Sequence, residues 1–221
     1  MKKITILVLV LLLGACQTTQ LSSDLHDITF EQDFHGETIG LKIYNLYGIN
    51  SDFNSIKIQH SENIKVEATV NEALIEHNFE MSVIDDELVI KTDNNDQFSN
   101  LHVELNIYGP IDEIEIDGAF NLVYENIMTN TLDIELEGAG EFILSGHTDD
   151  LDVSIDGAGS IEAFDLLARE ASLELNGAGS IQVSVSDKLE ASLDGLGSIE
   201  YRGNPTVIKE INGLGTIEPV Q

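Results

Sequence analysis

Six positions of one kind recur along the second half of the chain, each just ahead of a glycine: Asp117, Glu137, Asp156, Asn176, Asp194 and Asn212. Oxygen donors repeated at even intervals are what a hard cation needs. Carboxylates stacked upon one another would be relieved of their repulsion by Ca²⁺. On that reading Asp117, Glu137, Asp156 and Asp194 form a calcium ladder. The same residue types also cap turns by accepting backbone N–H bonds, with the two asparagines diluting the charge. Calcium is the one cofactor the sequence suggests, and both readings stay open at this stage. Other chemistry has less to work with. The histidines (His26, His35, His60, His77, His102 and His147) come no closer than nine residues apart, which is not a metal-ligand spacing. Arg169 and Arg202 are the only arginines, too few for a groove that holds an acidic polymer. Paired carboxylates, the machinery of glycoside hydrolysis, can always be drawn from 40 acidic residues, so a glycan-active enzyme stays as a third alternative.

What positions the acidic column is a repeat. Glycine-centred turns appear six times, with first glycines at Gly118, Gly138, Gly157, Gly177, Gly195 and Gly213, spaced 20, 19, 20, 18 and 18 residues apart. A second glycine follows in five of them, at Gly140, Gly159, Gly179, Gly197 and Gly215; the first copy has Phe120 there instead. A fixed period of this kind means a unit that buries its apolar side only by stacking on its neighbours. The flanks alternate, as in Leu151-Asp152-Val153-Ser154-Ile155 and Ser160-Ile161-Glu162-Ala163-Phe164, and alternation is the mark of a half-buried strand. The expected fold is all-β: a single-stranded parallel β-solenoid with repeats of about 19 residues. Leu136, Ile155, Leu175, Leu193 and Ile211 would make one buried ladder, and Phe142, Ile161, Ile181, Ile199 and Ile217 another. Residues 28–110 lack the glycine turn but keep strand-like runs such as Ile56-Lys57-Ile58 and Leu101-His102-Val103-Glu104-Leu105-Asn106-Ile107. They are expected to form the first turns of the coil or a β-rich cap. Residues 111–221 hold the repeats, and 28–221 reads as one domain.

The start of the chain has a different character. Lys2 and Lys3 precede ten residues, Ile4 to Leu13, of which all but Thr5 are apolar. That is too short to span a bilayer, which takes roughly 20 residues, but it suits a signal peptide. Leu13-Gly14-Ala15-Cys16 resembles the lipobox of bacterial lipoprotein precursors, which implies cleavage after residue 15 and acylation of Cys16. Several acyl chains on one residue would hold the protein on its membrane. Gln17 rather than Asp at the next position favours the outer membrane. Residues 16–27 then read as the lipidated cysteine and a polar tether. Without Lys2 and Lys3, eight basic residues face 40 acidic ones, a formal charge of −32. A surface so acidic repels phosphate backbones, which argues against nucleic acid as a partner. With one cysteine there is no disulfide to staple the fold.

Alternating strands, Ile107-Tyr108-Gly109-Pro110, the repeated Gly-Ala-Gly-Ser-Ile and the closing Ile211-Asn212-Gly213-Leu214-Gly215 together resemble the auto-transporter adhesin, head GIN domain family, over residues 38–218. No catalytic residues come with that resemblance. It implies adhesion. The expected function is therefore a non-enzymatic lipoprotein of the cell envelope that offers a long β surface to a protein or glycan partner. The alternative is a periplasmic ligand-binding or regulatory lipoprotein.

Overall fold

The computed structural model describes residues 25–32, 38–49, 54–76, 78–92, 97–99 and 102–221. The expected signal peptide, Cys16 and most of the expected tether lie outside the described residues. In chain order the elements are β1 (Leu25–Gln32), β2 (Ile39–Ile49), β3 (Ser55–Gln59), β4 (Ile64–Asn71), α1 (Glu72–Glu76), β5 (Glu80–Ile84), β6 (Glu87–Lys91), β7 (Gln97–Ser99), β8 (Val103–Tyr108), β9 (Ile111–Ala119), β10 (Asn121–Arg202), β11 (Thr206–Ile211) and β12 (Leu214–Pro219). Among the described residues α1 is the only helix, and no helix is long and apolar enough to cross a membrane.

β10 is 82 residues of unbroken extended backbone. Pulled straight, it would reach about 270 Å at roughly 3.3 Å per residue. Instead it bends repeatedly and returns alongside itself. Glycines at 138, 157, 177 and 195 take φ between 135° and 149° at these bends. Each return is parallel and in register. Asp133 to Ala139 pair with Glu113 to Ala119 of β9, and Lys188 to Leu193 pair with β11. β12 continues the same register against Leu196 to Tyr201. Parallel register places like residues above like. Leu136, Ile155, Leu175 and Leu193 are therefore buried together on one wall, and Phe142, Ile161, Ile181, Ile199 and Ile217 on another. Ile211, in the last pass, is 41 % exposed because nothing covers it. Each fully buried large side chain stabilises the fold by about 1.5–3 kcal/mol. The phenol in the core is satisfied: Tyr124 donates to the carbonyl of Ile111 at 2.8 Å. Burial pushes its pKa up to about 12.

The single-stranded parallel β-solenoid expected from the repeats is corrected by the pairing of the first half of the chain. All strands but β7 join one sheet of mixed direction, which curls into a nearly closed barrel. β4 runs antiparallel to both β1 and β8, and β5 runs antiparallel to β6. The reason is local. Asp85 and Asp86 take φ of 50° and 67°, which is the two-residue turn that matches the twist of a hairpin. A chain reversed so tightly pairs antiparallel. No glycine at a fixed interval imposes a parallel return there. β2, β3 and β9 do pair in parallel with their neighbours and join the two halves of the sheet.

Gly177 shows why the bends admit nothing larger. An ideal Cβ there would lie 2.0 Å from the carbonyl oxygen of Gly157, and φ is +143°. Gly179 has ordinary φ, yet its Cβ would lie 1.8 Å from the carbonyl oxygen of Gly159. Both clashes are with backbone, which cannot swing aside. Gly40 of β2 differs, since a Cβ there meets only the side chain of Glu113, at 3.4 Å or more, which is ordinary contact. Gly177→Ala should destabilise the fold by about 3 kcal/mol or more. Gly40→Ala should stay within about 1 kcal/mol of the parent. Chemical denaturation of the two variants side by side checks this, and equal loss at both sites would refute the close-approach account.

Candidate functional site

Register does to the outward residues what it does to the core. On the wall built from β9, successive passes of β10 and β11, the outward positions fall into three parallel columns. One begins Glu113, Asp133, Asp152; the next begins Glu115, Glu135; the third is Asp117, Glu137, Asp156, Asn176, Asp194, Asn212. Neighbours within a column are about 4.8 Å apart along the sheet. Columns of carboxylate at that spacing raise one another's proton affinity. Burial, then the charge of Asp152, holds Asp133 above its ordinary pKa. Asp152 is raised by burial and then by Glu174, and Glu135 by burial and then by Glu115, Glu137 and Asp133.

Among the described residues, cations answer this charge along two of its edges. Lys42 of β2 places Nζ 3.0 Å from Glu87, 3.6 Å from Glu113 and 2.9 Å from Glu115, and hydrogen bonds to Glu115 and then Glu87 hold its proton more firmly than usual. At the far side Arg169 pairs with Asp150 at 3.0 Å and with Glu170, and Lys188 pairs with Glu190 at 2.5 Å. Between these margins lies a shallow groove of about 450 Å³, lined by Asp112, Glu113, Asp133, Asp150, Asp152, Glu170 and Glu190, with Lys188, Thr131 and Ser172 among them. Such a groove can receive a cationic group.

The residues singled out from sequence are placed as follows. Asp117, Glu137, Asp156 and Asp194 share the third column, beside the groove rather than in it. The two asparagines of that column turn sideways, Asn176 donating to Glu174 at 2.9 Å and Asn212 to Glu210 at 3.0 Å. Among the described residues no three His, Cys, Asp or Glu side chains converge as a metal site would require. His102 lies 3.3 Å from Glu104, and His147 lies 3.9 Å from Asp149. His35, His77 and Cys16 lie outside the described residues. Sequence reading missed Asp133, Asp150, Asp152 and Glu170. A signal existed, because Asp133 and Asp152 alternate with the buried Ile134 and Val153. Only the lateral neighbours turn that alternation into a groove.

The raised carboxylates carry a pH dependence. Asp133, Asp152 and Glu135 bind protons more tightly folded than unfolded. Their contribution to stability is therefore full below the ordinary values of 3.8 and 4.5. It is lost as pH climbs through the raised folded values. Melting temperature should rise as pH is lowered from neutral to about 5. Asp133→Asn with Asp152→Asn should raise it at neutral pH and flatten the acid gain. A thermal melt series of both proteins checks the sign.

Comparison with known proteins places this architecture. A crystal structure described as a "putative adhesin" from Bacteroides fragilis superposes with a TM-score of 0.60 at 21% identity, covering 90% of this chain and 98% of that one. A second "putative adhesin", from Parabacteroides merdae, gives a TM-score of 0.46 at 18% identity, covering 90% of this chain and 97% of that one. No curated protein is significantly similar to the chain. The family model described as "Putative auto-transporter adhesin, head GIN domain" matches residues 49–205. The chain belongs to that family.

Proposed function

We propose that the protein is a non-enzymatic lipoprotein of the cell envelope whose acidic wall binds a positively charged region of a macromolecular partner, as an adhesin does. The observation that carries this reading is the set of parallel carboxylate columns and their groove, where seven lining carboxylates stand beside a single lining cation, Lys188. The adhesin naming of the family supports contact with an external partner. The basic and apolar start of the chain, ending in Gly14-Ala15-Cys16, supports a lipid anchor.

Anchoring orients the wall. β1 begins nine residues after Cys16 and lies at the opposite end of the sheet from β12. On one side of the barrel β1, β4, β8, β3, five passes of β10 and β12 follow in turn. At about 4.8 Å per strand the last pass stands roughly 40 Å beyond the first. The acidic wall would then face sideways from a short post, open to a partner approaching along the membrane. Calcium belongs to this reading as a counter-ion for the column of Asp117, Glu137, Asp156 and Asp194, favoured by their even stacking.

Three measurements test these points. Cells displaying the full chain should attach to a polylysine-coated surface more than to a dextran-coated one. Asp133→Asn, Glu135→Gln and Asp152→Asn together should reduce that attachment by at least tenfold. Neutralising Glu141, Glu162 and Glu218, which face outward elsewhere, should leave it unchanged; equal loss in both would mean net charge alone acts. Separately, Cys16→Ser should abolish incorporation of a labelled fatty acid and release the protein from membranes, and labelling that persists would overturn the anchor. Added Ca²⁺ should raise the melting temperature saturably and more than Mg²⁺ at equal ionic strength; identical responses would reduce the column to a screened surface.

A further inference from the structure

Parallel stacking has to stop somewhere, and it stops at β11 and β12. Among the described residues both strands pair with β10 on one side only, which leaves a row of unpaired backbone groups on the other. Such an edge is a template for a second chain. Its apolar character sharpens the hazard: Ile208, Ile211 and Leu214 are all exposed, Leu214 at 78 %. A second copy could offer the same edge, related by a two-fold axis, with its own apolar end meeting this one.

One residue stands in the way. Lys209 is in register with Ala191, whose side chain is buried in the core, just as Val207 and Ile211 are in register with buried Leu189 and Leu193. Lys209 is thus on the core side of the last strand. Its ammonium reaches across the open end of the barrel and donates to the carbonyl of Ile217 on β12 at 2.9 Å. Pro205, just before β11, and Pro219, the last residue of β12, lack the N–H that an added strand would bond.

We propose that Lys209 is the device that keeps two copies of this chain from joining end to end. When two β11 strands pair antiparallel about a two-fold axis, core-side residues must oppose core-side residues. The register that opposes Lys209 to its own counterpart sets two ammonium groups face to face. Moving by one matched pair in either direction sets Lys209 against Val207 or Ile211, which buries an ammonium among apolar groups without a counter-charge. Each of these three registers, the ones that overlap most of β11, is disfavoured by the same side chain.

Sedimentation of the full chain in detergent tests this. The parent protein should be monomeric. Lys209→Met, which keeps the length of the stem without the charge, should associate at concentrations at least tenfold below any at which the parent does. Lys209→Glu keeps a charge at the same place but cannot donate to Ile217, and it should stay monomeric. Adding Val207→Lys to Lys209→Met should restore the monomer, locating the contact at this edge. Should Lys209→Met fail to fold, Lys209→Gln can still donate to Ile217 while uncharged, and it too should associate. A neutral variant that remains monomeric, association of Lys209→Glu, or no rescue by Val207→Lys would each overturn the proposal.

Discussion

Backbone against backbone at the glycine bends is the contact on which the rest depends. The space that a Cβ of Gly138, Gly157, Gly177 or Gly195 would fill is already taken by the carbonyl of the previous bend, about 2.0–2.1 Å away. That closeness holds consecutive bends in line. With the bends aligned, passes of 18 to 20 residues differ only where the chain is far from them, and the strands on either side stay in register. Burial of the apolar ladders follows from register, and so does the alignment of everything on the outside.

The acidic wall is therefore a by-product of order as much as a feature in its own right. The same register that sets Leu175 over Ile155 sets Asp152 over Asp133, and burial, with repulsion second, raises the pKa values of these carboxylates. Three things moderate the repulsion: Lys42 shared among three glutamates, serines interspersed in the columns, and asparagines that turn to a neighbouring glutamate. The other outward faces deal with their neighbours by different means. Ser184 is small and donates to the carbonyl of Phe164 at 2.7 Å, and Arg202 lies over the Phe164 ring at 3.9 Å. One basic side chain is thereby held against an aromatic face.

The second half of the chain was largely legible because its signals are local and repeated. Alternation marks the strands, and the glycine pairs mark the bends, so the ladders from Leu136 to Leu193 and from Phe142 to Ile217 can be written down from sequence. The first half was not legible in the same way. Its direction is set by Asp85-Asp86, a turn pair without the glycine that usually announces a hairpin, and by β4, whose partners β1 and β8 lie about forty residues away on either side. Neither leaves a periodic trace, and a uniform coil was the wrong extrapolation. The groove was partly legible. Its acids could be read as outward-facing, but their convergence depends on the lateral order of passes, which a single pass does not encode.

A chain held in this way tolerates changes of length in two ways. Loss or gain of a complete stretch from one bend to the next would leave every remaining glycine above another glycine, and the 18 to 20 residues between bends show that one or two residues are absorbed away from them, whereas an odd change inside a strand would turn the core side outward for the rest of that strand. The gene is therefore open to duplication or deletion in segments of about twenty codons and closed to odd insertions within the strands themselves. Variation in reach among such proteins should come in multiples of one strand's width, with the terminal pass and its lysine carried along intact.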